Sequence, residues 1–386
     1  MIVSEKSYRK IIPVAGGKGG VGKSILAVNL GLYLGRLGKR VVLIDLDMGA
    51  ANLHTCLGLK NTRPGLGNYV SNKKLVLRDI MYRTDYPNLF FVPGDVLAPG
   101  MADIVYNQKK SIISQLLKLE ADYIILDLGA GSHFNVIDFF LVSNSGILVA
   151  TPQVPSLLNV FSFLKNLNFR FLQRALIGKK SVETYIRDIS RESRPNTHFR
   201  MNKILHDIEM LDKAQAKKAR EYLKNLKPCL IVNMASSPED MKLVENLRQL
   251  VKESLNIELS CLGLVCADNE IDKAIKKLTP LAIESPDSMA AKQIERIAEK
   301  IFQSKNFPDL PLDLSMYKDS FELTSIEAEN DWAYMREMAA AQAPESQGPG
   351  ENAVDMEAII AAQQQKIQEL QQTVRMLTLG APKMGE

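Results

Sequence analysis

Cysteine is scarce in this chain of 386 residues: Cys56, Cys229, Cys261 and Cys266 are all it has, at irregular intervals. Such spacing writes neither a disulfide framework nor a C-x-x-C redox or metal pair, and the Cys261/Cys266 interval does not fit iron–sulfur ligation, so buried structural thiols are expected. Long apolar runs are also missing: nothing reaches the roughly 18 residues that a membrane-crossing helix needs. The opening stretch MIVSEKSYRK lacks the apolar segment of a secretory leader. A cytoplasmic location is therefore expected. Neither sign of charge dominates, since the net charge is only +4. What remains, 46% hydrophobic and 24% charged residues, suits a large α/β domain with an appendage.

The chain is organised around Ala15–Ser24, AGGKGGVGKS, which follows the apolar run Ile11–Val14 and opens a helical stretch from Lys23 to Leu37. From Gly17 onward it fits G-x-x-x-x-G-K-[ST] at every fixed position. Gly17, Gly19, Gly20 and Gly22 clear side chains from the loop, so successive N–H groups around Lys18, Val21 and Ile25 can curl about an anion. The following helix aims its positive dipole end at the same place, Lys23 can reach β- and γ-phosphates, and the Ser24 hydroxyl can ligate Mg²⁺. ATP with Mg²⁺ is the implied ligand. A rival pattern is present, because Gly17, Gly19 and Gly22 also spell G-x-G-x-x-G and Asp45 ends the next apolar run, where a dinucleotide fold places its ribose-binding acid. Lys23-Ser24 favours the triphosphate, since a clasped pyrophosphate needs neither the cation nor the hydroxyl.

Two more strand ends carry carboxylates. Val41–Ile44 leads into Asp45-Leu-Asp47, and Tyr123–Leu126 into Asp127 and then Gly129 and Gly131. Four apolar residues ending in Asp form the Walker B pattern, delivering Asp127 to water on Mg²⁺. Asp47 is placed to orient or deprotonate an attacking water, with Asp45 supporting the metal shell or the loop. Capping of the next helix is the plainer reading of the Asp-x-Asp pair.

The segment KGGVGKS, with Lys18 inside the loop, resembles the deviant P-loop of the MinD/ParA ATPases. The stretch D-x-D-x-G-x-x-N-L from Asp45 to Leu53 resembles the same family, FlhG-like members included. That resemblance implies that Lys18 reaches across a dimer interface to the partner's nucleotide. It implies that Asp47 is the hydrolytic acid and that Asn233, at the end of the run Leu230–Val232, reads the adenine edge. It also implies an ATP-bound homodimer, a protein partner or activator, and a positional output such as placing a flagellum or a division site. Where the family usually has Thr after the Walker B Asp, this chain has Leu128, which removes a hydroxyl from the neighbourhood of the γ-phosphate. An ATP-driven metabolic enzyme or cluster carrier of the same superfamily is the alternative function, and a nucleotide-dependent oxidoreductase the third.

Strands alternating with helices, with the phosphate motifs at strand C-termini, predict a doubly wound, mostly parallel P-loop NTPase sheet over residues 1–303. A helical insert is expected over about 166–226, with two or three helices around a break at Pro195. Its surroundings are basic: Arg170 to Lys227 holds 15 Lys/Arg against 7 Asp/Glu. A solvated face, an anionic partner or lipid surface, and non-specific DNA all fit that charge, although no aromatic-plus-basic nucleic-acid motif accompanies it. Residues 304–338 read as an extension wrapping the domain and 339–352 as a flexible linker. Residues 353–379 read as a helix with Ile360, Ile367 and Val374 at a and Met356, Gln363, Leu370 and Leu377 at d of a short coiled coil. Only Lys366 and Arg375 are basic in that helix, which favours self-association or partner docking over peripheral membrane binding.

Overall fold

The computed structural model describes residues 10–47, 51–72, 74–94, 106–176, 178–192, 199–303 and 320–341. The strands are β1 (Lys10–Gly16), β2 (Val41–Leu46), β3 (Tyr82–Arg83), β4 (Leu89–Val92), β5 (Tyr123–Ala130), β6 (Ile147–Ala150), β7 (Cys229–Ala235) and β8 (Ser260–Cys266). They form one sheet in the order β3-β4-β2-β5-β1-β6-β7-β8. Every pairing is parallel except β3 with β4. This is the expected doubly wound sheet. β2, VVLIDL, is buried throughout, as a strand covered on both faces by crossover helices must be. Pro13 sits within central β1, where β6 begins to pair only at Val14, so its missing N–H falls where the strand is flanked by β5 alone.

The helices of the first half are α1 (Lys23–Arg36), α2 (Leu53–Cys56), α3 (Leu66–Ser71), α4 (Tyr106–Leu116), α5 (Phe134–Phe140) and α6 (Val154–Ala175). Those of the second are α7 (Lys180–Glu192), α8 (Met201–Leu211), α9 (Lys213–Lys224), α10 (Asp240–Leu255), α11 (Asn269–Lys276), α12 (Leu281–Glu284), α13 (Met289–Gln303) and α14 (Ser320–Ala341). Side chains alternate across the sheet. Val42, Ile44, Ile124, Leu126 and Leu148 join one apolar core with α4, α6 and α10, while Val41, Leu43, Ile125, Ile147 and Val149 join another with α1 and α13. Among the described residues no helix is long and apolar enough to cross a membrane.

The insert has a core of its own, in which Phe169, Leu172 and Leu176 meet Val182, Ile186, Leu205, Ile208 and Leu223. It does not begin at residue 166, because α6 runs unbroken through that position and shares its apolar face between the sheet and the insert. Among the described residues, the segment read as a wrapping extension and the start of the linker form one helix, α14, whose buried Phe321, Thr324, Ala328 and Asp331 fall on one face. The Pro195 break, residues 304–319 and the 353–379 helix lie outside the described residues.

α5, which follows the Walker B strand, is anchored by a buried acid. Asp138 meets Lys109 of α4 at 2.5 Å, and Arg170 and Arg174 of α6 at 2.6 and 3.2 Å. Burial opposes its ionisation, but hydrogen bonds from Arg170 and Lys109 and the charge of Arg174 outweigh burial and hold the carboxyl below its ordinary range. Removing one member of a buried ion pair strands its partners. Asp138→Ala is therefore expected to lower unfolding free energy by about 3 kcal/mol in urea denaturation; a loss under ~0.5 kcal/mol would show that the three cations are satisfied without it.

Candidate functional site

The loop between β1 and α1 is built for an anion by what it leaves unfilled. Gly22 caps α1 in the left-handed conformation, φ 89°, with no side-chain hydrogen bond to the first turn, and that turn holds no acid. The orphan N–H groups and the dipole end therefore keep their capacity for a ligand. Glycine is required at two positions. A Cβ on Gly22 would lie 2.2 Å from Asn233 Nδ2, and one on Gly17 would lie 2.4 Å from Asn159 Cβ on α6. Gly19 and Gly20 have nothing within 4 Å of such an atom, so the outer wall of the loop is open. Lys18 stands exposed on that wall, whereas Val21 and Lys23 are buried. Ser24 and Ile25 are half-buried at the base of the loop.

The carboxylates converge beneath the loop. In the pairing of β2 with β5, Asp45 lies directly opposite Asp127. The Asp45 carboxylate accepts from Asp47 N at 3.1 Å and from Leu53 N at 3.0 Å, so both of its oxygens face the backbone of the following loop. Burial, and then the neighbouring Asp127, push its pKa up to about 8. Asp127 is hydrogen-bonded to Ser24; burial raises its pKa to about 7, with Ser24 and Lys23 acting against the rise. Its Oδ1 is buried with no partner. A buried, unsatisfied carboxylate oxygen next to a hydroxyl and a lysine suits a divalent cation, which would supply the missing charge. Among the described residues no cluster of three or more His, Cys, Asp or Glu could hold a metal alone, and Mg²⁺ bound through phosphates and water needs no such cluster. Asp47 stands over the far side of the site, its Oδ1 3.1 Å from where a Gly129 Cβ would be.

Asn233 closes the other end. Its Nδ2 donates to Val21 O at 2.9 Å, and its buried Oδ1 has no partner. Lys18, Lys23, Ser24, Asp45, Asp47, Asp127 and Asn233 are thus gathered on the C-terminal ends of β1, β2, β5 and β7, where ligands bind in open α/β sheets. Leu128 points away from them: it is 1% exposed and packs in the core with its register partner Leu46.

The CobQ/CobB/MinD/ParA nucleotide binding domain matches residues 12–281. The chain belongs to that family. Among its MinD/ParA-type relatives, the antiactivator FleN of Pseudomonas aeruginosa is 25% identical over 295 residues, covering 76% of this chain and 86% of FleN. The septum site-determining protein MinD of Thermotoga maritima is 33% identical over 163 residues, which are 41% of this chain and 59% of that protein. The fold is shared with MinD complexed with Mg-ADP from Pyrococcus horikoshii, at a TM-score of 0.52 and 20% identity over 76% of this chain and 96% of that one. Sequence reasoning alone missed the Asp138 cluster and the contacts of α14. The available signals were an acid inside the apolar helix FNVIDFF and the chain's single tryptophan, Trp332.

The two raised carboxyls make a sign-definite expectation. A carboxyl whose folded-state pKa exceeds its unfolded value of about 4 costs nothing while both states are protonated, and it destabilises the fold progressively as pH rises toward the folded value. Without nucleotide or metal, stability is therefore expected to fall between about pH 5 and pH 8. Asp127→Asn should flatten that fall by up to ~4 kcal/mol; urea unfolding at both pH values checks this, and equal slopes for the two proteins would contradict it.

Proposed function

We propose that this chain is an ATP-binding and ATP-hydrolysing dimerisation switch of the MinD/ParA type, with a positional output. The observation that carries the reading is the division of labour between the two lysines. Lys23 is buried against the carboxylates that face a nucleotide's phosphates, while Lys18 stands exposed on the open outer wall of the same loop. A lysine in that place has no described carboxylate of its own chain within ion-pair distance, and a second subunit brings its phosphates within reach.

In this reading the loop N–H groups of residues 17–25 cradle the phosphates, Lys23 neutralises charge on the β- and γ-phosphates, and Ser24 and Asp127 hold Mg²⁺, with Asp45 keeping the loop after β2 in place. The metal, when bound, neutralises charge that develops on the phosphate oxygens. Asp47 orients a water for in-line attack on the γ-phosphorus and accepts its proton; the bond to the bridging β–γ oxygen breaks, giving ADP and phosphate. Asn233 offers its free Oδ1 to the amino group of adenine. Relatives with 25–33% identity are named for antiactivation and septum placement, which supports a regulator that gathers at a site in the cell and acts with a protein partner. Cys229, Cys261 and Cys266 are buried, which weighs against the cluster-carrier alternative.

Molar mass by light scattering tests the switch. Asp47→Ala is expected to shift from monomer to dimer with ATP but not with ADP, and adding Lys18→Ala should abolish the shift. A mass indifferent to nucleotide would overturn the reading. Lys23→Ala should lose nucleotide binding at least tenfold in calorimetry, an effect of about 1.4 kcal/mol or more, whereas a dinucleotide-dependent oxidoreductase would keep it.

A further inference from the structure

The backbone that presents Asn233 is strained. The next residue, Met234, is left-handed at φ 59°, and the pairing of β7 with β8 slips between Val232 and Ala235. A side chain with a Cβ is disfavoured in that conformation, which persists only where neighbours over-determine it. Three contacts do so. Ala267 N donates to Ala235 O at 2.9 Å, Asp240 Oδ2 accepts from Ser236 N at 2.7 Å, and Trp332 Nε1 donates to Ser236 O at 3.1 Å. The first two come from elements of the sheet domain; the third comes from α14.

The residue before Trp332 secures the other side of the same bulge. Asp331 accepts from Gln293 Nε2 at 2.8 Å, and from Arg296 Nη1 and Nη2 at 3.1 and 2.8 Å. Gln293 Oε1 in turn accepts from Cys266 N at 2.8 Å. Cys266 ends β8 and immediately precedes Ala267, whose N–H holds Ala235. Two consecutive residues of α14 thus reach both strand ends that flank Met234: Trp332 directly and Asp331 through Gln293. The Trp332 ring also packs against both apolar cores, so its position is fixed by more than one hydrogen bond.

We propose that Asp331 and Trp332 are positioning residues for the nucleotide base. Through them α14 holds the β7 bulge in the one conformation in which Asn233 faces the base pocket and at the same time reaches Val21 O in the phosphate loop. Base recognition in this chain is therefore completed from its C-terminal side, by a helix outside the matched nucleotide-binding domain. This rests on the nucleotide reading of the site given above.

Calorimetry on the full chain separates the two ideas, using Mg-ATP and Mg-tripolyphosphate as probes, the second of which has phosphates but no base. Trp332→Phe keeps a ring in the core and removes the donor. It is expected to weaken Mg-ATP about fivefold, as the loss of one hydrogen bond would, and to leave Mg-tripolyphosphate within twofold. Asp331→Asn, which loses the charge holding Arg296, should show the same pattern. Adding Met234→Gly to Trp332→Phe removes the strain and should restore Mg-ATP affinity to within about twofold of the wild type. Unchanged Mg-ATP binding in both single variants overturns the proposal, and so does equal weakening of both probes, which would mark general damage. Wild-type protein that binds neither probe would instead sink the nucleotide reading. The sole tryptophan adds a second readout: its emission should respond to Mg-ATP and not to Mg-tripolyphosphate.

Discussion

Two acids placed side by side, at the register position just before β2 ends and near the end of its pairing with β5, set the terms for the rest of the site. Asp45 and Asp127 are taken out of water by the same sheet that makes the strands stable. Asp45 is tolerated because two backbone N–H groups of the next loop point at it. Asp127 has one hydroxyl and a lysine, and one oxygen with nothing. That imbalance is the chemical content of the site, since a polar group left unsatisfied in a buried place is costly unless a ligand completes it. The glycine loop and the uncapped start of α1 beside it leave backbone N–H groups free for an anion.

Much of this was legible in the residues. The phosphate loop, the two carboxylate-ending strands and the parallel sheet follow from local patterns: glycines at fixed offsets, short apolar runs ending in Asp, and alternation of strand and helix. What local pattern could not reveal was long-range. Asp138 reads as an acid in an apolar helix, and only the fold brings Lys109, Arg170 and Arg174 to it from 29 to 36 positions away in sequence. Leu128 reads as a lost hydroxyl at the γ-phosphate, yet strand alternation turns its side chain into the core. α14 reads as an extension wrapping the domain and not as a helix because its buried face is mixed, with Thr324 and Asp331 among apolar residues, and periodicity counts only the apolar ones.

The insert shows a similar limit. Its apolar spacing foretold helices, but not that they close around a core separate from the sheet's and joined to it by the continuous α6. Charge and core are therefore uncoupled in this part of the molecule. Lys213, Lys217 and Lys224 are exposed on α9 while Ala216, Ala219 and Leu223 are buried on its other side, so surface residues there can vary without disturbing the nucleotide site.

α14 has one more consequence, for the life of the chain rather than for its chemistry. β8 is the last strand of the sheet, and α14 packs along it, with Thr324 bonded to Cys261 O at 3.5 Å and Lys300 bridging Leu262 O and Glu327. During synthesis the sheet is finished long before residue 320 leaves the ribosome. For that interval the eighth strand lacks the cover of α14, and an uncovered strand edge is a template for pairing with another molecule. A chain that has not yet added α14 thus presents to its neighbours an edge that the finished chain covers.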